Sequence, residues 1–403
     1  MLNNYEKIYI AIFLNSLLYG AALIFVDLIL IRTGSILLGS ITLSVFYIPA
    51  IFSFIIGPLT DSIKNKKLLL TFSEMFKVVI LFFMLLDLLN FSFNNYIIFL
   101  LLLFILRLLS TFSNLSFMAI QQHIVKNESS KKYFKNLHSV IFISSIIGLL
   151  SLGMLLAYNY IYSILFMLII YGLVTSVFLS LDVSGIKFET KKFSLTKLKS
   201  LRDSILYLKN NNTIELFTIL AIVNGAAMVM TMPLIVFISH DIIKVSAIIL
   251  TSFYVSSLLG SLIGTFLTSK IKTESRKIIH KYYIFISFSF IFVYYIIYLS
   301  HYYLYSIYIV LFASGFMESI LSLFHSLINL KYIDKNISGS IYGLKNTLNS
   351  IVIPIFALII GYILSSYILK YSFIFISVFF SINFFILLFF KNLPKVHKST
   401  TLN

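Results

Sequence analysis

Arg107 and Glu318 each stand mid-way along a long apolar stretch, and Asp27 lies in the outer part of another. An ionised group at the centre of a bilayer costs about 2.5 to 3.5 kcal/mol on insertion scales, so such residues are functional candidates by default. At about 1.5 Å of rise per helical residue, Arg107 lies roughly 20 Å from one end of its run, Glu318 roughly 18 Å and Asp27 roughly 28 Å from the same side. The first two are level, and a long Arg side chain reaches the third. An Arg facing two carboxylates is compensated, whereas a lone one is not. Competition for Arg107 between a carboxylate, a proton and a bound molecule is a coupling device, because a carboxylate that loses its Arg takes up a proton. Glu74 and Lys77, spaced i,i+3, read as a structural pair near the membrane interface. Asp87 reads as a solvated residue near a helix end, and His325 as a relay or a satisfied interface residue.

The elements that must hold these groups are helices. The chain has 403 residues, 60% of them hydrophobic, no Cys and no Trp, with a mean hydropathy of +1.00. Its apolar runs are long enough to cross a hydrocarbon core of about 30 Å. They fall at Ile8–Ile31, Ile36–Leu59, Leu68–Asn90, Tyr96–Ile120, Leu137–Ala157, Ile161–Leu181, Ile214–Ser239, Ile243–Ser269, Ile278–Ser300, Tyr302–Leu330, Gly339–Ser365 and Leu369–Phe390. The expected fold is an all-α membrane protein of twelve transmembrane helices. Of the 31 Lys and Arg residues, Lys77 and Arg107 lie inside runs and only Arg32, Lys244 and Lys370 lie on one side. All the others collect on the opposite side, which makes that side cytoplasmic, with both termini there. The net charge of +17 is thus a topology signal and does not mark a nucleic-acid surface. Without Cys there is no disulfide and no thiolate metal site, and no metal ligand set is expected. No Gly-x-x-x-x-Gly-Lys-Ser/Thr loop exists to bind ATP phosphates. The first run carries Asp27 and lacks a small-residue cleavage site, so it reads as a retained helix.

The longest connection, 183–212, separates six runs from six. The expected organisation is an N-terminal six-helix bundle (1–182), a cytoplasmic linker (183–212), and a C-terminal six-helix bundle with a short tail (213–403). A shift of 207 residues lays Tyr47, Ile56, Gly57 and Ser62 on Tyr254, Ile263, Gly264 and Ser269, the trace of an internal repeat. Within the linker, Leu195, Leu198, Leu201, Ile205 and Leu208 recur at helical spacing among Lys and Arg, with Ser194 as N-cap. That pattern reads either as a helix lying on the cytoplasmic leaflet or as a solvated tether. Pro49, Pro233 and Pro354 mark expected bending points in the second, seventh and eleventh runs.

Between the second and third runs stands Gly57-Pro-Leu-Thr-Asp61-Ser-Ile-Lys64-Asn-Lys66-Lys67-Leu68. It resembles the signature loop of the major facilitator superfamily, Gly-x-Leu-x-Asp-Arg-x-Gly-Arg-Lys-x-x-Leu, with Ser62 and Asn65 departing from the Arg and Gly. The weaker copy is Gly264-Thr-Phe-Leu-Thr-Ser-Lys270, with Thr268 in place of Asp61. In that family the loop is a cytoplasmic latch for the outward-facing state, which assigns Gly57, Asp61, Lys66 and Lys67 to it. The stretch Arg107–Ala119, with Ile124, Val125 and Asn136, resembles drug and siderophore exporters of the macrolide-efflux and enterobactin-exporter type. Their antiporter motif has a Gly-Pro pair, where this chain has Gly148-Leu149 and keeps Gly153.

The resemblance implies that the first, fourth, seventh and tenth helices line a central cavity. Asp27, Arg107, Asn224 and Glu318 then all belong to cavity helices. The expectation is a secondary exporter of a small amphiphilic molecule, working as a monomer in the cytoplasmic membrane. It needs no cofactor, and a proton gradient supplies the energy. An uptake permease of the same fold is the alternative. A lipid-modifying membrane enzyme fits less well, because no Asp or His ligands cluster at a helix end.

Overall fold

A computed structural model describes residues 4–18, 35–63, 65–89, 95–124, 130–182, 205–238, 246–268, 303–332, 338–365 and 369–389, together with isolated positions 25, 29, 281, 284, 285, 288, 289, 291 and 292. The helices are α1 (Asn4–Leu17), α2 (Ile36–Ile51), α3 (Ser53–Ser62), α4 (Lys66–Leu89), α5 (Asn95–Ile124), α6 (Ser130–Tyr158), α7 (Tyr160–Ser180), α8 (Asn212–Phe237), α9 (Ala247–Thr268), α10 (Tyr303–Tyr332), α11 (Ser338–Ser365) and α12 (Leu369–Phe389). Helix is the only open-ended element whose backbone satisfies itself in hydrocarbon. Among the described residues eight helices are long and apolar enough to span a membrane, and the bent pair α2–α3 makes a ninth span. The shorter α1 and α12 occupy the first and last apolar runs. The ninth run is described only at isolated helical positions.

The helices pack as two matched sets. In the first, α1 lies on α6 and α7, α2 on α5, and α6 on α7. In the second, α8 lies on α11 and α12, α9 on α10, and α11 on α12. Each of these contacts in one set has its counterpart in the other, the repeat expected from the Tyr47/Tyr254 match, while α4, which lies on α5 and α7, corresponds to the ninth run. The buried apolar side chains also separate by chain half. One core runs from Ile8 to Leu181, and the other runs from Leu216 to Phe380 with Leu149 of α6 added.

Close approach within each half relies on small residues. A methyl at Gly260 of α9 would lie 2.0 Å from the Phe312 carbonyl oxygen, and one at Gly315 of α10 would lie 1.9 Å from that of Ser257. The two helices thus interlock through reciprocal glycines, with Gly260 and Gly264 in a G-x-x-x-G pair. Gly148 does the same for α6 against α1, its missing methyl being 2.0 Å from Leu17 O.

The halves meet along two seams, α2–α3 with α11 and α6 with α9. The second span bends by 40° at Phe52. Pro49 lies three residues before the break and Pro58 beyond it. In the repeat, α9 has Ser256, Leu259 and Thr265 at the matching positions and runs unbroken. The expectation of three proline bends holds only here. Pro354 lies inside a continuous α11, and α8 is likewise unbroken across Pro233.

Of the linker, positions 205–210 are helical. Leu208 is buried with Ile214, Ile341 and Leu344, so this last turn docks on the ends of α8 and α11. The rest of the amphipathic stretch lies outside the described residues.

Candidate functional site at the seam between the halves

Arg107 is fixed by α5 and reaches across to α2. Its Nε donates to the Phe46 carbonyl at 3.2 Å, and the guanidinium carbon lies 3.9 Å from the centroid of the Phe46 ring. A cation over an aromatic face is attracted by the ring quadrupole, most strongly where water is scarce. Phe46 thus holds Arg107 by its backbone and its ring together. The Tyr47 ring meets that of Phe46 edge-on at 5.4 Å. Tyr47 also packs on the small inter-half cluster of Leu43, Val229, Ile353 and Ala357. Its phenol is in Coulombic range of both Arg107 and Glu318.

Glu318 comes from α10 in the other half. Among the described residues Arg107 and Glu318 form no ion pair with each other. Asp27, the third member of the expected charge group, lies outside the described residues. Asn224 is half-buried on α8. Beside it, Gly225 makes room for Asn349 of α11, whose Oδ1 would lie 2.6 Å from a methyl at that position. The Asn349 Oδ1 is buried without a hydrogen-bond partner. Nothing among the described residues joins Asn224 to Arg107 or Glu318.

Behind Arg107 lies a second polar group. Lys77 Nζ donates to Glu74 Oε1 at 2.7 Å, with side-chain exposures of 3% and 1%. The same ammonium donates to Ser113 Oγ of α5 at 2.9 Å and sits 5.1 Å from the centroid of the Tyr171 ring of α7. Tyr171 in turn is in Coulombic range of Glu74 and Arg107. The i,i+3 pairing expected for Glu74 and Lys77 is present, but it is buried among three helices instead of lying at the interface. Lys77 thus ties α4, α5 and α7 together through Glu74, Ser113 and Tyr171. His325 stands apart, its ring edge-on to Phe217 of α8 at 5.4 Å.

At the lysine-rich end, α3 carries Gly57 and Asp61 and packs on α11. Gly57 is buried, and the Asp61 side chain lies outside the described residues. Lys66 is buried and donates to Thr60 O at 2.9 Å. Lys67 donates to Leu181 O at 2.5 Å, and Lys7 donates to Ser180 O. These two ammonium groups cap the last carbonyls of α7, where cations are favoured. The loop thus ties down its own half as well as approaching the other. No group of three metal-ligating residues occurs among the described residues.

The model of the Major Facilitator Superfamily matches residues 8–357. The chain belongs to the Major Facilitator Superfamily. It is a multi-pass membrane protein of transporter type, with the all-α fold of the family. Among solved structures it is similar to the nucleoside transporter NupG, at 14% identity, a TM-score of 0.69, and coverage of 96% of this chain and 98% of that one. A point mutant of NupG gives a TM-score of 0.68, again at 14% identity, covering 96% and 99%. At that identity the likeness is one of fold. No curated protein matches the sequence. The drug and siderophore exporters suggested by the helix 4–5 pattern gain no support from these neighbours.

Sequence reasoning selected Arg107 and Glu318 by charge alone. It missed Phe46, Tyr47 and Tyr171, which carry no charge and sit among 41 Phe and 26 Tyr. The only available signal was Tyr47 as the first residue of the repeat match.

Proposed function

We propose that this superfamily member is a secondary active transporter that carries a small polar ring-bearing molecule by alternating access, coupled to protons, with uptake as its direction. The observation that carries the reading is the Arg107–Phe46–Tyr47–Glu318 arrangement across the seam. Phe46 engages Nε and one face of the guanidinium, which leaves the terminal nitrogens to receive an oxygen of the substrate. Phe46 and Tyr47 offer rings for stacking, and Glu318 offers a carboxylate that exchanges a proton as the halves move. Asn224 and Asp27 complete the proposed coupling set on their helices.

Two observations favour uptake over export. The solved neighbours are nucleoside transporters, which makes nucleosides the first probes to try. The glycines that remain from the antiporter motif are committed to helix packing, Gly148 against α1 and Gly153 against Thr251 of α9, and no proline follows Gly148. The latch role of Gly57, Asp61, Lys66 and Lys67, and the cytoplasmic placement of both termini, belong to the same reading.

The test is accumulation of labelled nucleosides in proteoliposomes with an imposed proton gradient. Arg107→Ala should abolish uptake, since it removes the cation held against the Phe46 ring and carbonyl. Glu318→Gln should still bind and exchange substrate but lose gradient-driven accumulation. Gradient-dependent accumulation by Glu318→Gln would move the proton to Asp27 or His325. Extrusion by the wild-type chain in place of accumulation would restore the export reading. Asp61→Asn should insert normally and transport poorly. Cysteines placed at Lys191 and Asn94 of this Cys-free chain should label from the cytoplasmic and outer faces respectively.

A further inference from the structure

The break in the second span takes backbone groups out of the helical ladder, Ile51 O and the Phe54 N–H among them. The Ile55 and Ile56 N–H groups both turn to Phe52 O, at 2.9 and 3.0 Å. Ile51 O therefore lacks its usual donor, and the Phe54 N–H lacks its usual acceptor at Ala50, where Ser53 Oγ already donates at 2.6 Å. Unsatisfied backbone groups inside a membrane protein cost several kcal/mol each, so broken helices survive only where something else pairs with the freed groups. Here the partner is a single hydroxyl from the other half of the molecule. Thr347 Oγ1 of α11 accepts from the Phe54 N–H at 3.0 Å and donates to Ile51 O at 2.8 Å. Thr347 is buried, and Ser53 beside it is fully so. Asn346 Nδ2 adds a bond to Ser53 Oγ at 2.7 Å.

We infer that Thr347 is a positioning residue: its hydroxyl is spliced into the broken ladder and holds the second span bent while the halves are together at this end. A side chain inserted into the i→i−4 ladder is a recognised cause of a sharp kink. What is particular here is that the inserted group belongs to the opposing half. When α11 withdraws, Ile51 O and the Phe54 N–H lose their shared partner together. The ladder then closes and the span straightens. Phe46 and Tyr47 lie about one and a half turns up the same helix, so the bend sets how α2 presents the Phe46 carbonyl to Arg107 and the Tyr47 phenol to Glu318. The C-terminal half thereby adjusts the N-terminal side of the site without touching it.

The bend itself is measured without any substrate. In the Cys-free chain, spin labels at Leu37 and Ile63 report the span across the break. Thr347→Val keeps the shape and removes the hydroxyl, and should lengthen the mean separation by about 2 to 3 Å as the ladder closes. Thr347→Ser, which restores the hydroxyl, should return the wild-type distance. Asn346→Ala removes the bond to Ser53 Oγ but keeps both Thr347 bonds to Ile51 O and the Phe54 N–H, and should leave the distance unchanged. An unchanged distance in Thr347→Val overturns the inference. So does an Asn346→Ala shift of equal size, because the seam as a whole would then set the bend. The consequence for transport rests on the alternating-access reading. Thr347→Val should lower the maximal rate about tenfold with KM unchanged, as expected for one lost hydrogen bond in a moving step. If no variant or wild type carries any probe while the distances behave as stated, the transport reading fails and the splice stands.

Discussion

The two seams between the halves are related by the internal repeat, yet they are built from different chemistry. Along α2–α3 and α11 the apolar packing of Leu43 with Ile353 and Ala357 is joined by hydrogen bonds. Ser44 donates to Pro354 O at 3.2 Å, and Thr347 and Asn346 bind the break at Phe52. Along α6 and α9 the contact is shape. Gly153 makes room for Thr251, whose Oγ1 would lie 2.2 Å from a methyl at that position. Phe142 and Ile146 of α6 pack on the C-terminal core, and Leu149 is part of it. Hydrogen bonds have defined directions and fix discrete arrangements, whereas apolar packing tolerates sliding as long as volume is kept. The broken span lies on the hydrogen-bonded seam and its unbroken repeat partner on the packed one. One seam therefore acts through made and unmade bonds, and the other as a bearing surface.

Substitutions that exchange these characters give the sharpest tests. Gly153→Val should have the largest effect. Overpacking costs about 1 to 3 kcal/mol, and here the obstacle is a rigid β-branched side chain on the facing helix. Thermal unfolding in detergent should drop by several degrees and transport should be lost, and a fully active Gly153→Val would remove the packed seam from the cycle. Next comes Thr347→Val, at about 1 kcal/mol, read out by the spin-label distance above. Ser44→Ala should cost no more than about 0.5 to 1 kcal/mol. Its hydroxyl already returns to Ser40 O of its own helix at 2.8 Å, so only the weaker bond across the seam is lost. The smallest effect belongs to Thr251→Val, within about 0.5 kcal/mol, because Thr251 Oγ1 donates to Ile248 O of its own helix at 2.9 Å. The same hydroxyl-for-methyl exchange should thus bend one span and leave the other seam unmoved. Equal responses at Thr347 and Thr251, in thermal stability and transport rate, would erase the distinction.

Much of this architecture was legible in the chain. Hydrophobic length finds helices because a spanning segment has almost no other way to satisfy its backbone. The repeat showed in a few matched residues because equivalent helices face equivalent neighbours. Arg107 and Glu318 were legible because charge inside an apolar run is rare enough to need a reason. Their relation was not legible: they were expected to face each other, and Tyr47 stands in range of both. The helix break was also hidden. Pro49, Pro233 and Pro354 look alike in sequence, but among the described residues only the span of Pro49 is broken, with the Thr347 hydroxyl bonded to both sides of the break. Thr347 itself is one of many hydroxyl residues in the runs, and only the fold selects it.

The interlocked glycines of α9 and α10 have a mechanical consequence. Gly315 lies one residue short of a full turn before Glu318, and its missing side chain lets α10 seat directly on the α9 backbone. The two helices must then travel as a single strut. Any displacement of α9 at its bearing on α6 is delivered to Glu318 without slack. On the other side Arg107 is pinned to α2, so it follows whatever α2 does against α11. Each charge is held to a helix that forms one seam, Arg107 to α2 and Glu318 through α10 to α9, as two pointers geared to two separate axles.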